Sequence, residues 1–96
     1  MMILVTYDVD TTSKSGEKRL RKVAKECVNY GRRVQNSVFE CLLTDAQFCI
    51  LKSKIDAIID NDKDSIRFYF LGNNWSRRIE VMGKTTTFAI ESTLII

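Results

Sequence analysis

Residues 1–9 read Met-Met-Ile-Leu-Val-Thr-Tyr-Asp-Val, and this stretch decides the fold. It is β-branched and apolar on both faces, the pattern of a central buried strand. Alternation places Ile3, Val5, Tyr7 and Val9 on one face, with Leu4, Thr6, Asp8 and Asp10 on the other. The strand runs out into Thr-Thr-Ser-Lys-Ser-Gly (11–16), a loop with helix-start chemistry, and Glu17 falls in the first turn of the helix it opens. Leu20, Val23, Ala24, Cys27 and Val28 then recur at helical spacing, so 16–30 is an amphipathic helix with Gly31 as its C-terminal stop.

Further along, 33–43 is extended, as one bent strand or as a tight hairpin turning near Asn36. Thr44 followed by Gln47 forms a capping box. Phe48, Leu51, Ile55, Ile58 and Ile59 make a second amphipathic helix over 45–60, broken by Asn-Asp-Lys-Asp at 61–64. Two more strands are expected at 66–71 and 78–82, and 88–96 forms a final extended tail. This order, β-α-β(β)-α-β with a strand appended, suits a single ferredoxin-like α+β sandwich over 1–96, two helices covering one face of an antiparallel sheet. The bare face is expected to be apolar, through Leu4 and either the Phe68/Phe70 pair or Tyr69. An exposed apolar tail (about 86–96) on such a sheet points to a homodimer, with the tail used in contacts to the sister chain or a partner.

Ninety-six residues and 11.1 kDa leave no room for a second core, and about 60–65% burial on folding makes a lone protomer marginal. The chain is 45% hydrophobic and 28% charged with four Gly and no Pro, which excludes disordered and collagenous classes. Its apolar runs are too short to span a bilayer, and no basic segment with a cleavage site follows the first Met, so a cytoplasmic location is expected. Cys27, Cys41 and Cys49 have no C-x-x-C spacing and read as buried reduced thiols.

The absence of histidine is the most informative exclusion. Ser–His–Asp and Cys–His catalysis and His-ligated zinc are ruled out, leaving carboxylates with a hard metal, or Lys, Tyr or Cys. The net charge of +3 is unevenly placed: Lys14, Lys18, Arg19, Arg21, Lys22, Lys25, Arg32 and Arg33 face only Glu17 and Glu26 within 14–33. A basic helix of this kind suits a polyanion, and equally a solvated helix face.

Asp8 stands where the first strand meets that helix. One carboxylate is a poor Mg²⁺ site, but a two-fold axis near the strand end would bring two Asp8 side chains to one ion, an arrangement that fits a histidine-free phosphodiesterase. Otherwise Asp8 caps the helix or pairs with an arginine. Asp10 is a supporting residue or, more simply, a turn residue. Arg-Phe-Tyr-Phe at 67–70 is a base-stacking platform or, without the glycine of an RNA-recognition motif, core or dimer packing. Trp75 and Arg77-Arg78 have no assigned role.

Four blocks resemble the Cas2 family of small CRISPR-associated adaptation proteins over essentially the full length. They are M-I-L-V-T-Y-D-V (2–9), K-R-L-R-K-V-A-K (18–25), R-V-Q-N-S-V-F-E-C (33–41) and R-F-Y-F-L-G-N-N (67–74). The resemblance implies a ferredoxin-like homodimer that acts in acquiring new spacers as a metal-dependent endonuclease on double-stranded DNA or RNA. It makes Asp8 of each subunit the catalytic ligand of Mg²⁺ or Mn²⁺ and places Tyr7, Arg33, Ser37 and Phe39 at the cleft or interface. Arg19, Lys22 and Arg33 are then the expected nucleic-acid contacts. It also implies a second role, a non-catalytic scaffold that bridges dimers of the CRISPR integrase subunit Cas1 and holds duplex backbone without reading sequence.

Overall fold

The computed structural model describes residues 1–72 and 79–83, the side chain of Ile79 excepted. Its elements are β1 (Met2–Asp8), α1 (Lys14–Val28), β2 (Gly31–Gln35), β3 (Val38–Leu42), α2 (Asp45–Ile58), β4 (Ser65–Phe70) and β5 (Ile79–Gly83). The five strands form one antiparallel sheet in the order β2-β3-β1-β4-β5. This is the expected α+β, ferredoxin-like arrangement, with β5 added beyond β4. The tail strand expected at 88–96, Trp75 and Arg77-Arg78 lie outside the described residues.

β1 lies at the centre of the sheet, as its apolar run on both faces suits, paired with β3 on one edge and β4 on the other. Its inward residues Ile3, Val5 and Tyr7 join Phe39 and Cys41 of β3, Ile66 and Phe68 of β4, and the buried stripes of both helices. α1 contributes Val23, Ala24 and Cys27, with Leu20 packed at the margin; α2 contributes Phe48, Leu51 and Ile55. Phe48 meets Phe68 and Phe70 edge-on, with ring centroids 5.3 and 5.1 Å apart, the geometry favoured by ring quadrupoles.

Local chemistry sets the helix ends. Ser13 caps α1 by accepting from the Gly16 N–H at 3.0 Å, and a Cβ on Gly16 would lie 1.8 Å from the Asp10 carbonyl oxygen. The Thr44–Gln47 capping box forms as read, with reciprocal bonds of 2.9 and 3.2 Å. α1 starts two residues earlier than expected and stops at an Asn29 cap, so Gly31 is no helix stop. Gly31 opens β2 instead, where a Cβ would come within 1.7 Å of the Glu40 carbonyl oxygen; only glycine lets the two strands close.

The 33–43 alternative resolves as a hairpin. Its two strands turn through Asn36-Ser37, with a register shift between Arg33 and Gln35. Two other expectations are corrected. The bare sheet face carries Leu4, Val38 and Leu42, but Thr6, Asp8, Glu40, Ser65, Arg67 and Tyr69 share it, so it is mixed and not plainly apolar. Phe68 and Phe70 turn to the helices, and Tyr69 pairs outward with Leu4. Cys27 and Cys41 are buried as read, whereas Cys49 is exposed, since it falls off the Phe48–Leu51–Ile55 stripe of α2.

Candidate functional site: a polar cleft at the end of the first strand

At the end of β1 the strand alternation separates two neighbours. Tyr7 points into the core and Asp8 points out to solvent. The Tyr7 hydroxyl donates to the Asp64 carboxylate, which is fully buried just before β4. Arg19 of α1 grips the same carboxylate with two bonds, Nε to Oδ2 at 2.7 Å and Nη2 to Oδ1 at 3.1 Å. The Asp60 backbone N–H adds a further bond to Oδ2 at 3.0 Å. One carboxylate thus ties together β1, α1 and the turn into β4.

The electrostatics of the trio agree with its geometry. Burial works to raise the Asp64 carboxyl, but the Arg19 guanidinium, the Tyr7 hydroxyl and the Asp60 N–H hold it below the usual carboxylate range. Burial first, and then the Asp64 carboxylate, push the Tyr7 hydroxyl well above its ordinary value. Hydrogen bonding to Asp64 raises Arg19 further, so the ion pair stays charged at any ordinary pH.

On the open side of this anchor lies a cleft of about 310 Å³ lined by Thr6, Tyr7, Asp8, Ser37, Ser65 and Arg67. The β2–β3 turn forms one wall, held by a 2.8 Å bond from the Tyr7 N–H to the Ser37 carbonyl. The other wall comes from β4, in register with Ser65 opposite Asp8 and Arg67 opposite Thr6. Besides Tyr7, whose hydroxyl turns inward to Asp64, three hydroxyl residues, one carboxylate and one guanidinium line a volume of the size that small ligands occupy.

Of the residues singled out from sequence, Tyr7, Asp8 and Ser37 meet in this cleft. Phe39 does not line it; it is fully buried opposite Val5. Arg33 stands at the hairpin, its Nε donating to the Asn36 carbonyl at 2.7 Å and its guanidinium 5.6 Å from the Phe39 ring centre. Lys22 is exposed on α1, while Arg19 turns inward to Asp64. Asp10 accepts from the Thr12 N–H and hydroxyl at 2.9 and 2.6 Å, which makes it a turn residue.

Sequence reading missed Asp64, Ser65 and Arg67. Alternation along β4 puts Ser65 and Arg67 on the face away from Phe68, but their closeness to Asp8 depends on the β1–β4 register. Asp64 gave no signal within its polar turn. Among the described residues no three Cys, Asp or Glu side chains gather into a metal-holding group, and no helix is long and apolar enough to cross a membrane.

Comparison with known proteins adds a family. Residues 1–79 match the family model for CRISPR associated protein Cas2. The chain is 52% identical over 95 residues to the CRISPR-associated endonuclease Cas2 of Halalkalibacterium halodurans, covering 99% of each chain. It is 51% identical over 96 residues to the CRISPR-associated endoribonuclease Cas2 of Chlorobaculum tepidum, covering 100% of each. Among solved structures, Streptococcus pyogenes Cas2 superposes with a TM-score of 0.75 at 63% identity, over 78% of this chain and 90% of that one. With its fold and these relatives in agreement, the chain belongs to the CRISPR-associated Cas2 family, in which these two curated relatives bear endonuclease and endoribonuclease names.

Proposed function

We propose that the protein hydrolyses phosphodiester bonds of double-stranded DNA or RNA in CRISPR spacer acquisition, as a homodimer whose two Asp8 carboxylates hold Mg²⁺ or Mn²⁺. The observation that carries this reading is the separation at the end of β1: Tyr7 is locked inward by Asp64, and Asp8 is left exposed on a hydroxyl-lined cleft. Asp8 with Thr6, Ser37 and Ser65 offers only oxygen donors, which fits a hard divalent cation. One carboxylate does not complete such a site, so the second Asp8 comes from another copy of the chain. Leu42 is 65% exposed on the bare sheet face, diagonal to half-buried Leu4, an apolar spot on a mixed face that a sister chain would cover.

A cation in this cleft would supply Lewis-acid charge at the phosphate and a water of lowered pKa. Asp8 holds that charge, and the Tyr7–Asp64–Arg19 trio fixes the strand end that carries it. Lys22 and Arg33 are the exposed candidates for nucleic-acid backbone contacts, and Arg19 serves them indirectly by anchoring α1. The whole of 1–96 is taken as one domain acting in the cytoplasm.

A second reading has its own support: Lys14, Lys18, Arg21, Lys22 and Lys25 all stand exposed on α1. This stripe suits a scaffold that holds duplex backbone and bridges the integrase Cas1, without need of Asp8 as a ligand.

Cleavage of labelled duplex DNA and single-stranded RNA by wild type and Asp8→Asn, each with Mg²⁺, Mn²⁺ or EDTA, separates the two readings. Metal-dependent cutting lost in the variant, with the dimer intact by light scattering, is expected of the nuclease. Equal cutting by Asp8→Asn, or none by either protein, rejects it. Charge reversal at Lys18, Arg21 and Lys22 that spares spacer capture rejects the scaffold.

A further inference from the structure

We propose that Arg67 is the phosphate-binding residue of the cleft, contacting a non-bridging oxygen of the phosphodiester that the protein cuts. The inference deepens the nuclease reading and rests on it for the identity of the cut bond. Arg67 is half-buried on the bare face of β4, at the wall of the cleft that Asp8 also lines. Its register partner on β1 is Thr6, and Asp8 pairs with Ser65, so Arg67 and Asp8 occupy diagonal positions on one face. Such positions lie about 7–8 Å apart in an antiparallel sheet, close enough for both side chains to reach one phosphate group.

Among the described residues, the other half-buried arginine, Arg19, is neutralised by Asp64, and the exposed Arg32 pairs with Glu40 at 3.0 Å. The Arg67 side chain makes no ion pair or hydrogen bond among the described residues. A guanidinium partly withdrawn from water and left without an anion is costly unless a ligand completes it. Its planar fork matches phosphate oxygens, and the Ser37 and Ser65 hydroxyls on the same cleft can donate to the same group. Bases at the α1 stripe attract nucleic acid from outside, whereas Arg67 stands where the reacting phosphate must sit if Asp8 is the ligand.

The test uses the full chain with Arg67→Gln and Arg67→Lys, light scattering and circular dichroism confirming the same assembly and fold. On a substrate that wild type cuts, Arg67→Gln should lower kcat about 100-fold, the scale of losing one donor to a charged transition state, and Arg67→Lys should retain part of the activity. A methylphosphonate at the cut linkage removes the non-bridging charge; it should slow wild type strongly and add little to the Arg67→Gln loss. In EDTA, duplex DNA binding followed by anisotropy should show a salt slope smaller by about 1 in Arg67→Gln. If wild type cuts nothing, the nuclease reading fails and this slope alone decides Arg67. An unchanged slope there overturns the proposal. So do cutting by Arg67→Gln within twofold of wild type, additive losses with the methylphosphonate, or an Arg67→Gln protein that has lost its assembly.

Discussion

Asp64→Asn removes the charge on which the strand end depends while keeping the size of the side chain. In the wild type, the carboxylate accepts from the Tyr7 hydroxyl, from Arg19 Nε and Nη2, and from the Asp60 N–H, with none of it exposed to solvent. The amide oxygen of asparagine can take over some of these bonds, but its NH₂ then faces a donor from Arg19 or Tyr7. Breaking one side of a buried ion pair costs about 3–5 kcal/mol. The Arg19 side chain is 16% exposed and can recover some hydration, which places the expected loss near the lower end, about 3 kcal/mol. For a domain of this size, that corresponds to a fall in Tm of about 12–24 °C. Urea unfolding followed by circular dichroism at pH 7 and fixed protein concentration measures it. Tyr7→Phe alone should cost about 1–2 kcal/mol, and the double variant should lose less than the sum, because both act on one carboxylate. A loss below about 1 kcal/mol for Asp64→Asn, or strict additivity with Tyr7→Phe, would refute the view that this carboxylate ties the strand end together.

Four further outcomes are expected. Because the Asp64 carboxyl lies below its unfolded value, the unfolded chain binds the extra proton, so this stabilisation is complete well above about pH 4 and is lost as the pH falls below it; the gap between wild type and Asp64→Asn should close in acid, and a gap unchanged down to pH 2 would be inconsistent with it. The raised Tyr7 hydroxyl has the opposite sign, stabilising below about pH 10 and losing that contribution as the pH rises further, an alkaline arm that Tyr7→Phe should abolish in urea titrations. In native protein, Cys49 should react with a thiol reagent at once, with Cys27 and Cys41 protected until unfolding; equal rates for all three would contradict the burial. Gly31→Ala should destabilise by well over 1 kcal/mol, since the added carbon meets strand backbone that cannot yield, and a neutral effect on the urea midpoint would disprove that close approach.

Much of this fold is legible in local pattern. The two-faced apolar run of β1, the stripes at Leu20–Val28 and at Phe48–Ile59, and the Thr44–Gln47 capping box each name an element, because strand and helix periods are properties of a few neighbouring residues. Alternation likewise puts Asp8 and Tyr7 on opposite faces of β1 without any knowledge of the rest of the chain, and the packed helices bury the Tyr7 face. The lack of histidine limits the chemistry before any contact is known. Beyond the reach of local pattern lay the pairings between residues far apart in sequence. Arg19 looks like one more base of a solvated stripe, and only the approach of Asp64, 45 positions away, turns it into a buried anchor. Arg67 reads only as the first residue of the Arg-Phe-Tyr-Phe stretch until the β1–β4 register brings it to Thr6 and the Asp8 cleft. Ser37 becomes a wall of that cleft through a bond from Tyr7, and Gly31 exchanges the role of helix stop for that of a strand-to-strand contact. Short-range periodicity names the elements and the faces they bury; strand register and the packing of α1 decide which polar groups meet, since those contacts are selected by the folded core as a whole and leave no local trace.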